Sequence, residues 1–168
     1  CVIAMRDPNP QVSGKGIEIL TAAGIEVTEG VLAGEAQAIN PGFYKRMRTG
    51  LPLVRLKLAA SLDGRTAMAS GESQWITGAA ARADVQKLRA RSGAIVTGVD
   101  TVLADDPSLT VRDEALDIPA QPLRVILDSQ LRTPATATTL QLPGEVLIAY
   151  AAADAQTATL AATGVELL

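Results

Sequence analysis

Side chains able to do chemistry gather in three runs of this chain. The first is Lys57-Leu58-Ala59-Ala60-Ser61-Leu62-Asp63-Gly64-Arg65. Lys57 stands on the polar side of a segment otherwise built for a core. It can act as a site cation for a carbonyl, hydroxyl or phosphate, or simply be a half-exposed strand lysine. Asp63-Gly64 most simply supplies turn chemistry. The second run is Gly71-Glu72-Ser73-Gln74-Trp75-Ile76-Thr77, which holds the single Trp of the chain. Trp75 is either packing or a lid over a flat ring, and its glycine- and serine-rich setting suits the lid.

The third run extends from Gly98 to Arg112. Backbone amides near Gly98 and Thr101 could hold a phosphate or ribose at a strand end, although the chain has no G-x-G-x-x-G. Asp105-Asp106-Pro107 could stop a helix. The same paired carboxylates could bind a ribose or assist proton transfer. Arg89 and Arg112 are candidates for an anionic substrate, because a guanidinium meets phosphate bidentately. On a helix surface the bland reading of either is a solvated arginine. Further on, Asp128-Ser129 with Arg132 and Thr133 lies at the end of an apolar strand. Such a turn suits the 2′-phosphate of NADP, and suits an ordinary surface turn equally.

The absences narrow the chemistry. With no histidine and one cysteine, the 168 residues exclude Ser-His-Asp and Cys-His catalysis and any His- or thiolate-built zinc site. Cys1 cannot form an intrachain disulfide. Aromatic residues are 2% of the chain and the net charge is -3, which argues against nucleic acid. No apolar run reaches the ~20 residues of a membrane span, and no signal peptide is visible, so the expected compartment is cytoplasmic. Hydrophobic residues at 48% and charged residues at 20% fit a folded globular protein. What remains is Lys, Asp, Glu, Ser, Thr and Arg chemistry, or chemistry brought by a cofactor.

The elements that must position these groups can be read from periodicity. Residues 2–5 form a buried strand, and the prolines of Asp7-Pro8-Asn9-Pro10 make a loop. Residues 17–23 form a helix stopped by Gly24, and Ile25-Glu26-Val27 alternates as a strand. Together they make a βαβ unit too small to stand alone. A helical turn over 35–40 is followed by a helix over 42–48, with Asn40 as N-cap and Pro41 at its first position. Its Lys45, Arg46 and Arg48 read as a solvated connector face. Residues 53–59 alternate, with apolar 54, 56 and 58 opposite Arg55 and Lys57. Residues 67–75 are irregular. Thr77 is a plausible N-cap for a helix over 78–91 carrying the stripe Ala81, Val85 and Leu88. Strands follow at 94–97, 123–127 and 146–150, then a weak helix over 152–162 and a last strand after Gly164. The order implies an α/β fold with a mostly parallel sheet flanked by helices. The chain opens with Cys rather than Met, and both ends read as strands, so a fragment of a longer protein is expected.

The three runs, the last taken from Thr101 to Arg112, resemble the reductase domain of bacterial bifunctional riboflavin-biosynthesis deaminase/reductases. Ahead of them, Asp7-Pro8-Asn9-Pro10, Gly14-Lys15-Gly16 and Ala23-Gly24-Ile25 resemble the end of that family's deaminase domain. The resemblance spans nearly the whole chain in the expected order and fades after about residue 135.

The resemblance implies a truncated dihydrofolate-reductase-like domain over 49–168. Residues 1–48 would be the remnant of a cytidine-deaminase-like α/β domain and a linker. It implies NADPH-dependent reduction of the ribosyl carbonyl of 5-amino-6-(5-phosphoribosylamino)uracil, a phosphorylated pyrimidine, and a homo-oligomer, expected to be a dimer. By the same resemblance Ser73, Arg89, Leu109 and Arg112 contact substrate, and Ala59, Trp75, Thr101, Asp105 and Ser129 contact NADP(H). Lys57 would be the catalytic cation near the reacting carbonyl, and Asp105, one of the paired carboxylates, is the second catalytic candidate. The family's zinc belongs to a His-x-Glu and Cys-pair deaminase site that this sequence lacks, so no metal and no deaminase activity are expected here. A later glutamate that touches substrate and a glycine-rich segment for the cofactor phosphates are also missing. Two other readings stand beside this one: a reductase of the same fold acting on another heterocycle, and a non-catalytic nucleotide-binding or oligomerising module.

Overall fold

The computed structural model describes residues 1–151 and 156–168. The chain folds as two compact units, Cys1–Leu58 and Ala59–Leu168.

The first unit is a small parallel βαβ arrangement with two further helices. Strand β1 (Val2–Ile3) pairs in parallel with β2 (Thr28–Glu29), and helix α1 (Lys15–Ala22) makes the crossover. Gly24 ends α1 as expected: it takes φ 76°, and the amide of Ile25 reaches back to the Leu20 carbonyl at 3.0 Å. That capping bond corrects the expected strand at 25–27. Ile25 is spent closing the helix, so the pairing with β1 starts at Thr28. Helix α2 (Ala33–Ile39) leads into α3 (Pro41–Thr49). The Asn40 side chain accepts from the Phe43 amide at 3.4 Å, and Pro41 occupies the first turn. Neither α2 nor α3 buries a residue fully.

The alternating segment at 53–59 is not a strand. Residues 51–60 have no regular structure, and Val54, Leu56 and Leu58 are 77%, 84% and 70% exposed. Alternation is a necessary signature of a half-buried strand, but a strand exists only with a neighbour to complete its ladder. None pairs with this segment among the described residues.

The second unit holds the core. Helix α4 (Ala79–Ala90) precedes β3 (Ala94–Gly98), α5 (Val99–Asp105), β4 (Leu123–Leu127), α6 (Thr138–Gln141), β5 (Val146–Ala149), α7 (Gln156–Ala161) and β6 (Glu166–Leu167). The sheet is wholly parallel in the order β3-β4-β5-β6. Period-two alternation sends Ile126 from β4 and Val146 and Ile148 from β5 to one face. There they meet Val99 and Val102 of α5, Leu131, Ala137 and Leu160. Two expectations change. The N-cap of α4 is Gly78 rather than Thr77, and no side chain caps it. The weak helix is seen at Gln156–Ala161, while the first part of the expected 152–162 span lies outside the described residues. Among the described residues no helix is long and apolar enough to cross a membrane.

Candidate active site

Parallel α/β sheets place ligands beyond the carboxyl ends of their strands. In the second unit those ends are Gly98, running into α5, and Leu127, running into the turn at 128–133.

The 128–133 turn is built around a buried carboxylate. Asp128 is 1% exposed, and its Oδ2 accepts from both the amide and the hydroxyl of Thr133 at 2.7 Å. Burial alone would raise this carboxyl. Hydrogen bonds from the Thr133 hydroxyl and the surrounding amides outweigh it and hold Asp128 below its usual value. Leu131, fully buried at φ 53°, pins the turn into the core. Ser129, Gln130 and Arg132 are left exposed on its outer side. Arg132 reaches Asp100 in the first turn of α5 at 2.7 Å, which links the two strand ends. With both side chains largely exposed, that ion pair adds little stability.

Helix α5 ends where the Asp-Asp-Pro run predicted a stop. Asp106 takes the left-handed C-cap conformation at φ 40°. Its carboxylate then accepts from the Thr138 hydroxyl at 2.6 Å and the Thr138 amide at 2.7 Å, and these bonds lower its pKa. Asp106 is therefore occupied structurally. Asp105, one residue earlier, is exposed and accepts from the Ser73 hydroxyl at 3.1 Å. The Gly-Glu-Ser-Gln-Trp run is thus tied to the end of α5. Thr101 is exposed on the same helix.

Trp75 is 70% exposed, and the Gln74–Trp75 peptide is cis. The Arg82 guanidinium lies over its ring at 4.5 Å and donates to the Thr77 carbonyl at 2.5 Å. This stacking is worth ~0.5–1 kcal/mol at an exposed site. Arg82 was not singled out by the sequence. A Trp seven residues before an Arg, with a helix start between them, was the available signal.

Arg89 and Arg112 come together. The Arg89 guanidinium is held below its usual range by burial and then by the positive charge of Arg112. Arg89 donates to the Thr110 carbonyl at 2.8 Å. Among the described residues neither arginine has a carboxylate partner. Two like charges converging without a counter-ion are the arrangement an anionic ligand neutralises. Leu109 buries its side chain and takes φ 54°, so it could offer a ligand only backbone atoms.

Ala59 is half-buried at the start of the second unit. Lys57 falls in the first unit, in the irregular stretch at 51–60, exposed and with no ion-pair partner among the described residues. A cleft of about 460 Å³ is also found in the first unit, where it is lined by Arg6, Glu29, Tyr44 and Arg48. Arg6 and Glu29 close a two-bond ion pair there at 2.9 and 3.2 Å. None of the expected site residues lines it.

Comparison with known proteins gives a consistent result. A family described as the RibD C-terminal domain matches residues 52–165. The riboflavin biosynthesis protein RibD of Escherichia coli is 53% identical over 165 residues, 92% of this chain and 45% of that protein. Its counterpart in Haemophilus influenzae is 57% identical over 141 residues, 78% of this chain and 38% of that protein. The solved structure of Acinetobacter baumannii RibD superposes with a TM-score of 0.86 at 53% identity, covering 99% of this chain and 47% of that one. A Thermotoga maritima diaminohydroxyphosphoribosylaminopyrimidine deaminase/5-amino-6-(5-phosphoribosylamino)uracil reductase superposes equally well at 35% identity, with 99% and 45% covered. The chain spans less than half the length of these relatives.

Proposed function

The chain belongs to the RibD C-terminal domain family, and from that premise we propose that it is the reductase part of a bifunctional riboflavin-biosynthesis enzyme. The reaction is NADPH-dependent reduction of the ribosyl carbonyl of 5-amino-6-(5-phosphoribosylamino)uracil to the ribitylamino compound. Residues 49–168 belong to the reductase domain and 1–48 to the end of the deaminase domain and its linker. The holoenzyme is a cytoplasmic homodimer.

The observation that carries this reading is the Arg89/Arg112 pair, two like charges that act on each other and, among the described residues, have no carboxylate partner. It suits a substrate that ends in phosphate. Ser73 adds a hydroxyl donor, with Asp105 orienting it. The donor set at 128–133 fits a phosphorylated dinucleotide, with the Ser129 hydroxyl and the Arg132 guanidinium facing outward from a turn fixed by Asp128. Thr101, Asp105 and Trp75 would complete the cofactor contacts, with Ala59 beside them. NADPH supplies the hydride, so no histidine is required of the protein. The protein's part is to align the two reactants and exclude water, with Lys57 stabilising the oxygen that gains negative charge.

Titrating the fluorescence of the single Trp with NADPH tests the cofactor half of this reading. Saturable quenching that prefers NADPH to NADH is expected. A chain folded by circular dichroism that does not respond to NADPH refutes the cofactor residues.

A further inference from the structure

Arg112 is useful to a phosphate only if its side chain leaves the backbone in a fixed direction, yet it sits in a stretch with no regular structure. Between α5 and β4 only residues 114–116 form a short 3-10 turn. Residues 109–111 are nonetheless buried, with Leu109, Thr110 and Val111 at 6%, 8% and 7% exposure. Buried backbone groups outside a ladder must find partners elsewhere. Here side chains provide them. The Val111 amide donates to Gln121 Oε1 at 2.8 Å, and Gln121 Nε2 donates back to the Val111 carbonyl at 3.0 Å. The Arg112 amide donates to Gln86 Oε1 at 2.9 Å. A primary amide carries a donor and an acceptor like a peptide unit. Gln121 therefore does for Val111 what a neighbouring strand would do.

Both glutamines are themselves held. Gln86 lies one turn before Arg89 on α4, on the face that meets the 110–112 backbone. Gln121 is backed by the loop before β5. A Cβ placed on Gly144 (φ +107°) would come within 3.2 Å of the Gln121 Cβ. That loop is fixed by the fully buried Arg124, which donates to the carbonyls of Leu142, Pro143 and Gly144 at 3.0, 3.0 and 2.7 Å.

We propose that Gln86 and Gln121 are positioning residues that set the direction of Arg112 toward the substrate phosphate. They touch neither reactant; they act through the backbone of Val111 and Arg112. This rests on the reductase reading of the Arg89/Arg112 pair and deepens it.

The test is steady-state kinetics in the full-length polypeptide carrying this sequence, with 5-amino-6-(5-phosphoribosylamino)uracil and NADPH. Gln121→Ala should raise the substrate KM about tenfold and leave kcat within about twofold, since it removes ground-state and transition-state binding alike. Gln121→Glu keeps the acceptor for the Val111 amide and loses the donor, so its KM should fall between wild type and Gln121→Ala. Gln86→Ala removes a single bond and should raise KM about threefold, which keeps the test open if Gln121→Ala does not fold. Arg112→Ala is the reference, with a rise larger than either. A raised KM in Arg112→Ala beside an unmoved KM in Gln86→Ala and the Gln121 variants overturns the positioning role alone. An unmoved KM in Arg112→Ala overturns the phosphate reading, and the positioning role with it.

Discussion

Two stretches of the second unit carry proposed site residues, and they are built in opposite ways. Residues 98–133 rest on the core: Val99, Val102, Ile126 and Leu131 are buried, and Asp128 ties the outer turn down with two bonds from Thr133. Residues 59–77 have almost no burial. Leu62 and Met68 are 111% and 65% exposed, and the bonds along the first part of the stretch are local, such as Ser61 to Arg65 and Met68 to Glu72. Its ties to regular elements are at its end: the hydrogen bond from Ser73 to Asp105, and Arg82 of α4, which stacks on Trp75 and donates to the Thr77 carbonyl. Yet in both stretches at least half of the residues are polar or glycine. A run of proposed site residues therefore need not carry its own structural support, and here one stretch does and the other does not.

That contrast can be broken by measurement. Ile148→Ala, beneath the first stretch, should cost about 3–4 kcal/mol through lost burial and the cavity left behind, read by urea denaturation. Asp128→Ala should cost about 2–3 kcal/mol, since it leaves the Thr133 amide and hydroxyl buried and unpaired. Asp128 also predicts a pH signature. Its folded pKa lies below its unfolded one, so the stability it adds is complete above about pH 4 and is lost as pH falls through the lower folded value. Asp128→Ala should flatten that acid limb, and an unchanged limb would show that other carboxylates carry it. Leu62→Ala should change stability by less than about 0.5 kcal/mol. If it costs as much as Ile148→Ala, residues 59–77 are packed and the contrast is void.

Much of the fold was legible because it rests on local signals. Gly24 follows the end of its helix, Asn40-Pro41 starts one, and the apolar runs expected at 94–97, 123–127 and 146–150 are strands to within a residue. The expected strand at 53–59 failed because alternation reports a face and not a neighbour, and hydrogen-bond partners across a sheet are not written in the strand itself. Helix α5 was missed because its seven residues, Val99–Asp105, are too few for a periodic signal. The convergence of Arg89 with Arg112 was readable as residue types but not as proximity. Gln86 and Gln121 gave no signal at all, since a glutamine bound to backbone has the same sequence appearance as one in water.

The strand order β3-β4-β5-β6 has a consequence for how the second unit is made. Each strand pairs with the next one along the chain, so every closure spans one helical connection and none waits for a distant segment. Closure entropy is then kept small at each step, and ordering one strand supplies the edge for the next. During synthesis, which releases the chain from its N-terminus, this sheet can be laid down in the order in which it emerges. At any moment the growing sheet exposes two edges, the outer side of β3 and the strand laid down last.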